Sequence, residues 1–205
     1  MDSTGWIDVE QNTPDWKLLG IGRITCSKFS ILFMKEDTKG FQRFIREKAF
    51  ERLTGSQIPD KWQGNWATQQ GHERESEGLR LYELVTFRKV TPGGFWIYSD
   101  TIGGSPDGHC EDGLVEVKSR TTEVWLESIE NFKPSRAEYW QCLGQMLVSG
   151  KKWCDLIMTP PDELFLPFIY RIKRDEKAIK ELKDKLLYAN VLIDKEQEKL
   201  KKYLK

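Results

Sequence analysis

Between Ser105 and Lys118 the sequence S-P-D-G-H-C-E-D-G-L-V-E-V-K brings Asp107, Glu116 and Lys118 into one short stretch. Side chains on a strand alternate between faces, so Glu116 and Lys118 share one face while Val115 and Val117 take the other. A two-residue turn at Asp112-Gly113 would set Asp107 opposite Lys118; a turn at Glu111-Asp112 would set it opposite Glu116, and a bulged three-residue turn competes with both. Two carboxylates on neighbouring strands repel one another unless a cation sits between them, and hard oxygen ligands suit Mg²⁺ or Mn²⁺. The peptide carbonyl of Val117 adds a further oxygen. A lysine beside such a cation can orient an attacking water or help to deprotonate it, while the cation polarises a phosphate and stabilises the leaving oxygen. The chemistry is that of phosphodiester hydrolysis. Taken alone, E-V-K more often decorates a solvated strand face and Pro-Asp-Gly is a common turn, so only the full arrangement carries the signal.

These residues need strands and helices to hold them. The run "GFWIYSDTIGGSPDGHCEDGLVEVKSR" is aromatic and β-branched, punctuated by Gly, Pro and Asp-Gly, and predicts a β-meander. Before it, "TPDWKLLGIGRITCSKFSILF" predicts an irregular lead-in to a short helix starting at Thr25 or Ser27. "KGFQRFIREKAFERLTG" predicts an amphipathic helix stopped by Gly55, and "QQGHERESEGLRLYELVTFRK" another, with Leu79, Tyr82 and Val85 or Thr86 on its apolar stripe and Glu75 one turn earlier. Ser135 and Glu138 have capping-box spacing at the head of a helix that ends near Gly150. Two strands follow around Pro160-Pro161, then an amphipathic helix from about residue 175, with Ile179, Leu182, Leu186, Ala189 and Ile193 on one face. Helices flanking a central mixed β-sheet make an α/β fold, and 205 residues without repeat or linker suit one domain.

Composition narrows the function classes. Lys+Arg and Asp+Glu both total 32, so affinity for phosphate must come from a local patch. Four scattered cysteines without a CxxC pair and two histidines argue against a zinc cluster or a disulfide framework and suit a reducing cytoplasm. No apolar run approaches the ~18 residues that span a bilayer, and the acidic, polar start is unlike a signal peptide.

An S-P-D whose Asp lies nine residues before the Glu of E-V-K resembles the PD-(D/E)xK nuclease superfamily. Within it, "DWKLLGIGRITCS", "GHERESEGLRLYE", "GSPDGHCEDGLVEVK", "YWQCLGQMLVSGKK" and "IKRDEK" resemble, in order, the phage lambda exonuclease family of viral or alkaline recombination nucleases. That resemblance spans roughly Asp15 to Leu192. It implies a restriction-endonuclease-like core, with Asp107 and Glu116 as metal-binding carboxylates, Lys118 as catalytic lysine and Glu75 as the upstream helix carboxylate. The G-x-x-x-E spacing from Gly71 favours Glu75 over Glu73 and Glu77. Gln141 matches a glutamine expected to contact water or the reacting phosphate.

For the DNA end, Ser27 and Ser105 match hydroxyls that help to hold a 5′ phosphate. The family's usual arginine is replaced by Gly20, and Arg23, Lys17 and Lys28 are the candidates to compensate. Trp62, Trp66 and Trp96 could stack on bases, though core anchoring is the commoner role. The resemblance further implies a Mg²⁺-dependent 5′-to-3′ exonuclease acting on linear double-stranded DNA ends and leaving 3′ overhangs for recombination. Mn²⁺ could substitute for Mg²⁺. A ring-shaped homotrimer, a single-strand annealing recombinase as partner, and the cytoplasm of a bacterial host complete the expectation. The alternatives are a restriction or repair endonuclease of the same superfamily and a non-catalytic DNA-binding protein with its fold.

Overall fold

Val115 pairs with Gly108 and Leu114 with His109, while the Cys110 N–H donates to Gly113 O at 2.8 Å. The two-residue turn therefore falls at Glu111-Asp112, and the register continued by one residue sets Asp107 across from Glu116. The computed structural model describes residues 5–58, 66–162 and 164–204, with 66–74 as helical backbone only.

The chain runs β1 (Gly5–Ile7), α1 (Pro14–Gly20), β2 (Ile24–Thr25), a 3-10 helix (Cys26–Phe33), α2 (Lys39–Thr54) and α3 (Trp66–Thr86). It continues through β3 (Thr91–Pro92), β4 (Phe95–Ser99), β5 (Ile102–Gly104), β6 (Gly108–His109) and β7 (Gly113–Ser119). After β7 come α4 (Thr122–Asn131), α5 (Arg136–Ser149), β8 (Trp153–Thr159), β9 (Phe168–Lys173) and α6 (Glu176–Lys201). The architecture is mixed α/β, as the sequence predicts. Its strands divide over two mixed sheets among the described residues, ordered β1-β4-β5-β2 and β3-β6-β7-β8-β9. What reads as one meander thus changes sheet between Gly104 and Gly108, where Pro106 interrupts pairing.

In the five-stranded sheet β7 and β8 are parallel and buried, as a strand pair covered on both faces must be. One face of β7 meets α3: Val115 and Val117 cluster with Tyr82, Trp153 and Ile157. Leu114 joins the larger core, built from α5, α6, α2 and the 3-10 helix. The predicted α6 stripe of Ile179, Leu182, Leu186, Ala189 and Ile193 is wholly buried in it.

Local chemistry sets the helix ends. Ser135 and Glu138 form the predicted capping box at the head of α5, and Gly55 and Gly150 close α2 and α5 in the left-handed conformation. The lead-in differs from its prediction. Pro14–Gly20 forms a helix of its own, capped by Thr13, and β2 precedes the 3-10 helix, so Ser27 lies inside that helix with Thr25 at its cap position.

Candidate active site

Glu116 is 2 % exposed, so the strand face that carries it is covered by α5 and away from solvent. A buried carboxylate left unpartnered costs about 3–5 kcal/mol, and three donors answer it. Gln141 Nε2 reaches Oε1 at 2.5 Å, Lys118 Nζ reaches the same oxygen at 2.7 Å, and Gln145 Nε2 reaches Oε2 at 2.6 Å. Gln141 and Gln145 are one helical turn apart on α5 and so present their amides to one strand residue. The Gln141 amide oxygen also accepts from Lys118 Nζ at 3.4 Å.

Asp107 stands on the segment that leads into β6. Its Oδ2 accepts the Val117 N–H at 2.6 Å, so Val117, the residue whose carbonyl was the proposed extra ligand, ties the two strands at this point. Burial raises the Asp107 pKa well above the usual carboxylate range, and the charges of Glu116 and Glu75 push it further up. The Glu75 carboxylate of α3 is therefore close enough to act on Asp107 through its field. Its competitors fare differently: Glu77 is exposed and paired with Arg80 at 2.6 Å, while the side chain of Glu73 lies outside the described residues. Burial pulls the Lys118 pKa down, but the Glu116 charge, the hydrogen bond between them and the Asp107 charge outweigh it and leave the ammonium above its ordinary value.

Among the described residues, Asp107, Glu116 and Glu75 act on one another through their charges beside Lys118, which leaves negative charge in excess. A divalent cation would relieve the repulsion that raises Asp107, and the all-oxygen donor set fits Mg²⁺ or Mn²⁺. Among the described residues no three acidic, histidine or cysteine side chains converge to ligating reach, so these carboxylates are neighbours and not a closed cage. With Glu116 hydrogen-bonded at both oxygens, binding a cation would exchange some of those bonds for coordination.

Two residues before Asp107, Ser105 lines a cavity of about 560 Å³ together with Lys17, Gly20, Ser27 and Lys28. The structure thus gathers the residues expected at a DNA end, with one exception. Arg23 does not line the cavity; its guanidinium is bound to the carbonyls of Leu19 at 2.7 Å and Ser99 at 3.3 Å, where it holds the turn after α1. Ser105 is also committed. Its hydroxyl donates to Gly94 O at 2.6 Å and accepts from Gln11 Nε2 at 2.7 Å and Trp16 Nε1 at 3.0 Å. Ser27, Lys17 and Lys28 are exposed, and a Cβ built on Gly20 meets no atom within 4 Å.

Residues 15–152 match the model of the YqaJ-like viral recombinase domain. The chain belongs to that family. The structure is similar to an alkaline exonuclease, LHK-Exo, from Laribacter hongkongensis, with a TM-score of 0.83 and 28 % identity over 93 % of this chain and 97 % of that one. LHK-Exo in complex with dAMP matches with a TM-score of 0.82 at the same identity. A phage-related exonuclease from Haemophilus somnus 129PT shares the fold at 17 % identity, with a TM-score of 0.61 over 87 % of this chain and 96 % of that one. Among curated proteins none matches the chain.

The family match includes Glu75, Asp107, Glu116, Lys118 and Gln141, as well as the cavity's Lys17, Gly20, Ser27 and Ser105. Sequence reasoning missed Gln145, which is wholly buried and holds the second Glu116 oxygen. Its signal was present: it falls one turn after Gln141, on a helix face otherwise apolar. Of the tryptophans, Trp96 is half-buried and packs edge-on to His109 against the core, in keeping with an anchoring role. Trp62 lies outside the described residues, as does the side chain of Trp66.

Proposed function

We propose that this member of the YqaJ-like family is a Mg²⁺-dependent 5′-to-3′ exonuclease, removing one strand of linear duplex DNA from its ends. The observation that carries the reading is the buried Glu116, held by Lys118, Gln141 and Gln145 beside an Asp107 whose charge is destabilised by burial and then by Glu116 and Glu75. That arrangement has no structural need for so many carboxylates, but a phosphodiesterase does. Asp107, Glu116 and Glu75, with the Val117 carbonyl, would hold the cation, which supplies Lewis-acid stabilisation of charge on the reacting phosphate.

The chain's own residues do the rest. Lys118, bonded to Glu116 and Gln141, would orient the attacking water or help to deprotonate it and steady charge on the phosphate. Gln141, bonded to both Glu116 and Lys118, keeps the two in register and has an amide edge for the water or phosphate.

The alkaline exonuclease likeness supports end-dependent cleavage, and the complex of that relative with dAMP supports a nucleoside monophosphate as product. Ser27, Lys17 and Lys28 would receive the 5′ end in the adjoining cavity, with Ser105 shaping its wall. The 3′ overhang left behind suits recombination through a single-strand annealing protein. A homotrimer encircling the duplex would retain DNA without a basic exterior, in keeping with equal totals of 32 basic and 32 acidic residues.

Linear duplexes labelled at either end, incubated with Mg²⁺ or with a chelator, test the proposal beside covalently closed circles. Mononucleotides should appear from 5′ ends only, and only with the metal. Circles cut as fast as linear DNA would show an endonuclease instead.

A further inference from the structure

Glu75 stands on α3, and the close approach of that helix to the sheet has a definite cause. Gly78, three residues after Glu75 and on the same helical face, is pressed against β7 and β8. A Cβ at this position would fall 2.5 Å from Val117 Cγ1, 2.9 Å from Thr159 Cγ2 and 3.2 Å from Val117 Cγ2. Carbon atoms rest at about 3.5–4.0 Å, so any side chain here would drive the helix back by roughly 1 Å. Val117 and Thr159 belong to buried strands and cannot yield by turning outwards.

Four residues further on, Tyr82 fastens the same face. It is fully buried, and its hydroxyl donates to Asp155 Oδ2 at 2.7 Å. Asp155 is held in turn by Arg171, whose Nε and Nη2 reach its two oxygens at 2.7 Å each, and the guanidinium lies 3.9 Å over the Trp153 ring. A tyrosine, a carboxylate and an arginine clamp thus join α3, β8 and β9 below the carboxylate site. Packing at Gly78 sets the depth of the helix, and a directional hydrogen bond to a buried carboxylate adds a fixed axial reference.

We propose that Gly78 and the Tyr82–Asp155 hydrogen bond are positioning elements that set the depth and axial register of α3, and so hold Glu75 in reach of the divalent cation shared with Asp107 and Glu116. The inference rests on the reading of Glu75, Asp107 and Glu116 as metal ligands and goes beyond it in naming what places the third of them.

The test is a double-mutant cycle on Mn²⁺ binding, measured by calorimetry with the metal alone on the full chain, with thermal unfolding of each sample alongside. Glu75→Gln and Gly78→Ala should each weaken Mn²⁺ by about tenfold, the usual scale for disturbing a ligand's support. In the double variant the second change should add less than about twofold, because a Glu75 already displaced has nothing left to lose. A Gly78→Ala protein that binds Mn²⁺ as wild type does, or one in which Glu75→Gln still costs its full factor, overturns the proposal. Glu75→Gln binding Mn²⁺ normally would instead overturn the ligand reading on which it stands. Should Gly78→Ala not fold, Tyr82→Phe enters the same cycle: weakening of about threefold that vanishes in the Glu75→Gln background is expected, and an unchanged or additive result refutes it.

Discussion

Glu116 and Ser27 mark two regions that handle polar groups in opposite ways. Around Glu116 each carboxylate oxygen has a partner and the side chain is almost entirely excluded from water. Around Ser27 a cavity of about 560 Å³ is lined by exposed Lys17 and Lys28, with open space over Gly20. The first region is preorganised: its groups are aimed before any ligand arrives, and they act in a low-dielectric setting where small displacements matter. The second is accommodating, and its cations remain hydrated until a phosphate displaces water. Chemistry requires the first condition, and capture of an end can proceed with the second.

That contrast can be broken most sharply at Lys118. Lys118→Ala should reduce cleavage by about 10³-fold, the scale of losing a preorganised charge at a reacting phosphate, while duplex-end binding measured by fluorescence anisotropy stays within a few fold. Equal losses in both would merge the two regions into one.

Gln145→Leu probes the buried region without touching substrate. Leaving one Glu116 oxygen unanswered should raise the Mg²⁺ concentration for half-maximal cleavage by about 10–100-fold, with little change in the rate at saturating metal. A loss confined to the saturated rate would mean that Gln145 acts otherwise than through Glu116.

Gly20→Arg sharpens the comparison from the other side. The glycine has no clash to avoid, so the arginine should be tolerated, and a charge-assisted contact of about 1.5 kcal/mol would raise the preference for 5′-phosphate over 5′-hydroxyl ends by about tenfold. Steady-state rates on paired substrates measure it; an unaltered ratio would show that position 20 does not face the terminal phosphate.

The smallest effect concerns stability without metal. The raised pKa of Asp107 means that its ionised form destabilises the fold, so Asp107→Asn should melt higher than wild type at neutral pH, by on the order of 2–4 °C for each kcal/mol relieved. The difference is full above the raised pKa, shrinks as pH falls through it, and is gone below the ordinary carboxylate range. Saturating Mg²⁺ should reverse the order by stabilising only the wild type.

Much of this site was legible because its residues are close in sequence. Period-two alternation sufficed to put Glu116 and Lys118 together, and the turn offered two registers that both brought Asp107 near. Choosing between those registers needed the strand pairing itself, which is made between β6 and β7. The division of the strands into two sheets was not legible, because Gly103, Gly104 and Pro106 punctuate a meander and a change of sheet alike. The 3-10 helix at Ser27 was read as a helix start because Thr25 and Ser27 are both good caps, and β2, which fixes the start, depends on pairing with β5, remote in the chain.

The fate of Arg23 shows the same boundary. An arginine near a glycine that replaces one is a reasonable substitute until the carbonyls of Leu19 and Ser99 are found to hold it. While α1 and α4 were not foreseen, the sequence by itself determined the residue types of the site, the apolar stripes of α2, α3 and α6, the capping box of α5, and the family. These follow from local periodicity and side-chain chemistry, which operate over a few residues. Only tertiary structure decided that Glu116 faces a helix and not water, that Ser105 has no hydroxyl proton to offer, and that Gly78 is pressed against Val117 and Thr159. Each of those depends on distances between segments far apart in the chain, where burial and hydrogen-bond saturation are set by packing and not by neighbours in sequence.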